Sequence, residues 1–205
     1  MNFMAFLQSA LYVISESLLY PVMTIILILF CLVIFRSGEI LAEGLRRRTI
    51  KIPEPGDAAS FLGPAANVAA IEAASSAVRK FLKDVRSIPD SAPKDLHVAY
   101  RLQESEEHMN WELGKIRRLI RLGPMLGLMA TLIPMGQALA ALTEGEMQKM
   151  ANSMIIAFTA TVVGLFIAGV SFVLSQYKAR WISEDRRAME LLAEVLIADR
   201  EPRPR

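Results

Sequence analysis

Two threonines, Thr131 and Thr161, lie with Gln137 and Ser153 in stretches of sequence that carry no charge. Hydroxyl and amide side chains can solvate an ion or a water molecule, but they hold no proton near neutral pH. Pro134 stands among them without the N–H that a helix would use, which frees a carbonyl near Ala130. The chemistry these residues offer is passage of an ion or of water. His97 and His108 are eleven positions apart among charged neighbours, with no third ligand to complete a metal site. The single cysteine, Cys31, excludes an intrachain disulfide and a cysteine zinc site. Glycine-rich phosphate loops are absent, and no Ser/His/Asp arrangement stands out. No enzyme activity, metal or cofactor is expected.

The elements that must carry these residues are written in the charge pattern. The chain has 205 residues, 53% hydrophobic and 21% charged, and the charge is segregated. Residues 18–35, 122–142 and 151–177 contain no Asp, Glu, Lys or Arg. At about 1.5 Å per residue these runs suit a hydrocarbon core of about 30 Å. No soluble fold of this length could bury three such helices, so all three are read as transmembrane. A net charge of +2 is too small to suggest nucleic acid as a partner.

Orientation follows from the basic residues. With the N-terminus outside, 22 of the 23 Lys and Arg fall on one side, which the positive-inside rule makes cytoplasmic. No basic residue precedes the first run, whereas Arg36 and Arg46–Arg48 follow it, the charge order of a retained helix and not of a cleaved signal. The organisation expected is an amphipathic outer segment (1–17), a first span (18–35), a cytoplasmic helical region (36–118), a second span (119–142), a short outer loop (143–150), a third span (151–177), and a cytoplasmic C-terminal helix and tail (178–205). The fold class is therefore all-α: a multi-pass protein with three transmembrane helices and a cytoplasmic helical bundle.

The spans differ in what they present. The first is bulky nearly all round and suits lipid acyl chains; Pro21 sits in its first turn, where a missing N–H costs little. At 100° per residue the second places Gly123, Gly127, Ala130, Thr131, Pro134, Gln137, Ala138 and Ala141 on one stripe. The third places Ser153, Ala157, Ala160, Thr161, Gly164, Ala168, Ser171 and Ser175 on another. Small residues let helices approach closely, so Gly123, Gly127, Gly164 and Ala168 are expected to pack. Two such stripes exceed what one helix pair needs. A ring of copies follows, with the first span facing lipid and the other two lining a central space.

In the cytoplasmic part, residues 39–48 continue the first helix and the Pro-rich stretch 52–57 breaks it. Val68, Ile71, Ala74, Val78, Phe81, Leu82 and Val85 recur at helical spacing, residues 87–93 turn, and a long helix from Lys94 runs into the second span through Gly123-Pro124. The 14 basic and 12 acidic residues of segment 36–118 describe a solvated bundle and not a polybasic arm.

Gly123-Pro124-Met125-Leu126-Gly127-Leu128-Met129-Ala130-Thr131-Leu132 resembles the second-span motif of the MotA/TolQ/ExbB proton channel family, and Ala160-Thr161-Val162-Val163-Gly164-Leu165-Phe166-Ile167-Ala168 resembles its third-span motif. The three-span arrangement is similar to the TolQ/ExbB-like branch. The resemblance implies a homopentamer around two copies of a single-span partner that carries an essential Asp, in the cytoplasmic (inner) membrane. It maps the pore threonines onto Thr131 and Thr161, and it implies that ion flow, H⁺ or Na⁺, drives rotation and work on the envelope. Two departures are visible: Pro134 stands where relatives more often have Gly, and Ile156-Ala157 occupies the place of a Glu found in relatives of the ExbB type. No Asp, Glu or His lies within any span, so the titratable group of a proton path must come from another chain. The alternatives are a non-conducting membrane scaffold and a transporter-associated permease subunit.

Overall fold

The computed structural model describes residues 3–47, 74–87 and 94–198. They form four helices and no strand: α1 (Phe3–Arg47), α2 (Ser76–Arg86), α3 (Lys94–Thr143) and α4 (Met147–Ala198). Three of them, all but α2, are long and apolar enough to cross a membrane. The expected break at 52–57, Val68 and Ile71 of the cytoplasmic helix, most of the 87–93 turn and the last residues of the tail lie outside the described residues.

Each long helix outruns its charge-free core. α1 begins at Phe3, so residues 3–17 belong to the helix of the first span instead of forming an element of their own. A helix satisfies its own backbone, so the lone charge at Glu16 does not stop it. α3 is 50 residues long and continues through Pro124 and Pro134. It ends in a glycine cap: Gly145, at φ 78°, donates its N–H to the Leu142 carbonyl at 3.2 Å, and Glu146 donates to Ala141 at 2.9 Å. The left-handed conformation is open to glycine without strain, which lets residues 144–146 reverse the chain where a loop over 143–150 was expected.

The chain divides into two units. One comprises Met1–Gly38 and Lys115–Ser175. In it Val22, Ile26 and Val33 of α1 bury a single stripe against Ala130, Ala160 and Ile167, and Phe30 meets Phe166 with ring centroids 5.6 Å apart. The first span is thus not a uniform lipid face: Tyr20, Leu27 and Phe35 are exposed while that stripe is covered. Leu128, Leu132, Leu139, Phe158 and Val162 are also more than 60% exposed. Apolar surface on this scale belongs in lipid or against other chains and not in water.

The other unit comprises Glu39–Gly114 and Gln176–Arg205. Ser75 caps α2 by accepting from the Val78 N–H at 3.3 Å. The apolar face expected from helical spacing, Ala74, Val78, Phe81, Leu82 and Val85, packs on Val98 and Met109 of α3 and on Ala188, Met189 and Leu192 of α4. In the same unit Arg47 forks onto Asp185 and also reaches Glu43 at 3.3 Å, while Lys178 bonds Glu43 at 3.0 Å. Burial opposes the charge on Glu43, but Lys178 and then Arg47 outweigh it and hold its carboxyl below the usual 4.5. A lowered folded value means that the stabilisation is present above the unfolded value and is lost as pH falls through the folded one. Melting of the full chain is therefore expected to weaken on acidification below pH 4.5. Glu43→Gln should flatten that acid limb, which melting midpoints from pH 7 to pH 3 would check.

Candidate ion-path site

The threonines sit on the two helices joined by the three-residue turn, so α3 and α4 run antiparallel in this part of the chain. Their small residues meet. A Cβ on Gly123 would lie 2.6 Å from the Gly164 carbonyl oxygen, and one on Gly164 would lie 2.6 Å from the Gly123 oxygen and 2.9 Å from Gly127 Cα. Only residues without a side chain allow this approach. Gly127 is less crowded: its Cβ would find Gly164 Cα at 3.4 Å and Thr161 Cα at 3.6 Å. Ala168 is half-buried beside the contact, its backbone nitrogen 3.2 Å from a Cβ on Gly123.

The expected polar residues flank this glycine contact toward the α3–α4 turn. Thr131 is one turn beyond Gly127 and buried; its hydroxyl donates to the Leu128 carbonyl at 2.7 Å, which leaves its oxygen as an acceptor. Thr161, across the seam from Gly127, is half-buried, and its hydroxyl is 3.5 Å from the Ala157 carbonyl. That is the limit of a hydrogen bond, so this hydroxyl is the more readily redirected of the two. Pro134 is fully buried and deprives the Ala130 carbonyl of its i+4 donor. Thr131 does not replace that donor, because its hydrogen goes to Leu128. Ser153 and Ala157 are buried on the α4 side, and Ile156 is exposed.

Gln137 is half-buried and donates from Nε2 to Glu16 Oε1 of α1 at 3.3 Å. Sequence reasoning placed Glu16 outside the spans and gave it no role. The contact joins residues 121 apart, and only the presence of Glu16 as the single acidic residue before Glu39 could have drawn attention to it.

The two small stripes therefore face one another within one chain. Thr131, Pro134 and Ser153 lie inside that seam, whereas Thr161 and Gln137 are partly accessible at its edge. The two stripes supply hydroxyls, an amide and a freed carbonyl that can coordinate a cation or water but no Asp, Glu or His to take up a proton; a carboxylate, Glu16 of α1, touches them at Gln137. Among the described residues no group of three or more His, Cys, Asp or Glu could hold a metal ion. His97 and His108 are exposed on α3, with the His108 ring 6.4 Å from that of Trp111, and Cys31 is exposed on α1.

A family model described as the MotA/TolQ/ExbB proton channel family matches residues 69–191, well over half of the chain, including the whole α3–α4 seam. No curated protein and no solved structure matches the chain. Three span-length helices and this match make it a multi-pass membrane protein, and the matched family is of a transport type and not an enzyme class.

Proposed function

The chain belongs to the MotA/TolQ/ExbB proton channel family, and from that membership we propose that it is the channel subunit of an ion-driven motor complex. The observation that carries the reading is a matched segment whose two polar spans contain no Asp, Glu or His. Such a path needs a carboxylate from outside these two spans. In this reading several copies, five by family likeness, surround two copies of a single-span partner that bears an essential Asp. Thr161 and Gln137 border the path from the open edge of the seam, and Thr131, Pro134 and Ser153 support it from within. The basic residues set the N-terminus outside and the C-terminus inside a cytoplasmic membrane. Proton flow, or Na⁺ flow, turns the ring about the partner and does work on the envelope.

A non-conducting scaffold is the competing reading, and one observation favours it: Gly123 and Gly164 are consumed by helix packing. Ion flux into vesicles, with and without the co-expressed Asp-bearing partner, separates the two. Partner-dependent flux is expected for a channel and none for a scaffold. Thr131→Val and Thr161→Val should each lower that flux by roughly five- to tenfold, the loss of one hydrogen bond of about 1 kcal/mol, without changing particle size. Unchanged flux in both variants would remove the threonines from the path.

A further inference from the structure

Ser171 lies on α4 seven residues beyond Gly164 and so faces the same way, within about 20°. That face meets α3: a Cβ on Gly123 would lie 3.1 Å from Ile167 Cγ2 and 3.2 Å from the Ala168 nitrogen. Because the helices are antiparallel, the next turn of α4 (170–171) stands beside the next turn of α3 toward its start (119–120). Leu119 and Val170 both pack on the cluster around Ile167, as that register requires.

Ser171 is completely buried, and its Oγ has no hydrogen-bond partner. It is the one hydroxyl among the described residues left in that condition. Thr131 and Ser175 show the ordinary alternative, donating to carbonyls of their own helix at 2.7 and 2.8 Å. An unbonded buried hydroxyl is unfavourable, because it has given up water for nothing. A second polar group stands at the same level. Pro124 has no N–H, so the Ile120 carbonyl lacks its i+4 donor. A hydroxyl that can donate and accept, next to a carbonyl without its helical donor, is the kind of set that holds an internal water.

We propose that Ser171 and the Ile120 carbonyl hold a water molecule between α3 and α4, forming a second polar level of the seam. The dry Gly123–Gly164 contact separates it from the level of Thr131 and Thr161. No water column crosses that contact within one chain, so an ion passes it only on a carrier from outside and is received at the Ser171 level. The water site stands on the geometry alone; its place in ion passage rests on the channel reading.

A map of the full-length protein in nanodiscs, at a resolution that shows waters, tests the site. The expected result is a water within hydrogen-bonding distance of both Ser171 Oγ and the Ile120 oxygen. A dry seam with the Ser171 hydroxyl turned onto the Ile167 carbonyl would overturn it. Ser171→Ala gives an independent sign. If the water is there, the variant strands it and the melting midpoint falls by roughly 2–4 °C. If the hydroxyl is unpaired, its deletion raises the midpoint and the site is refuted, as it is by a map that shows the hydroxyl on the Ile167 carbonyl. In vesicles with the Asp-bearing partner, Ser171→Ala should lower flux several-fold at unchanged particle size, and equal flux would refute the receiving role. A wild-type protein that passes no ion would instead remove the channel reading, with the map and the melting sign still deciding the water.

Discussion

Gly164→Ala is expected to pull the α3–α4 seam apart. A methyl group there would meet the Gly123 oxygen at 2.6 Å, Gly127 Cα at 2.9 Å and the Gly127 nitrogen at 3.3 Å. All three are backbone atoms, so no side chain can turn aside and the helices themselves must separate. Overpacking of this kind costs about 1–3 kcal/mol, and more where backbone has to move. Gly123→Ala is expected to behave similarly, against the Gly164 oxygen at 2.6 Å. Gly127→Ala should be milder, since its nearest contact is 3.4 Å. Gly136→Ala and Gly169→Ala supply the controls, because a Cβ at either meets nothing within 4 Å. On helix propensity alone those two should gain up to about 1 kcal/mol. Melting midpoints of the five variants in one lipid environment should therefore fall in the order 169 and 136, then 127, then 123 and 164. If Gly164→Ala melts with Gly169→Ala, the seam is not where the two helices meet.

That series also marks how far the sequence could be read. A charge-free run declares a membrane helix because lipid offers nothing to an ionised side chain, so the three spans were legible from 18–35, 122–142 and 151–177. Their ends were not. Neither Glu16 nor Pro124 halts a helix whose neighbours support it, and α1 and α3 run past both. A helical wheel likewise gave the stripes of Gly123, Gly127 and Gly164 but not what they touch, because a face does not name its partner. Gly123 and Gly164 meet each other across α3 and α4. The motifs around Thr131 and Thr161 pointed to the family that the match bears out. The hydroxyl partners depend on rotamers that no pattern encodes. Contacts between distant positions, Gln137 with Glu16 and Arg47 with Asp185, left no trace beyond the presence of the charges.

Arg47→Ala carries the other large expected loss. Arg47 and Asp185 form an enclosed ion pair, with side chains 12% and 9% exposed. The guanidinium forks onto both carboxylate oxygens, one contact being 3.1 Å, and its carbon lies 5.1 Å from the centre of the Trp181 ring. Trp181 in turn lies against Gly44, where a Cβ would approach its ring to 3.3 Å. Removing the arginine leaves Asp185 buried without its counter-ion, a change that costs about 3–5 kcal/mol. Arg47→Lys keeps the charge but loses both the fork and the stack, so an intermediate loss is expected. Lys178→Ala should cost about 1 kcal/mol or less, because Glu43 keeps Arg47 and is itself partly solvated. The sign of the pairing is then read from a double variant. Arg47→Met with Asp185→Leu removes both charges and replaces them with apolar volume, and it should recover most of what Arg47→Ala lost. Denaturation of the full chain in detergent, followed by the signal of Trp181 in a Trp111→Phe background, would measure all four. A loss under about 1 kcal/mol for Arg47→Ala would place the pair among surface contacts and would take away the anchor between the end of α1 and α4 in this unit.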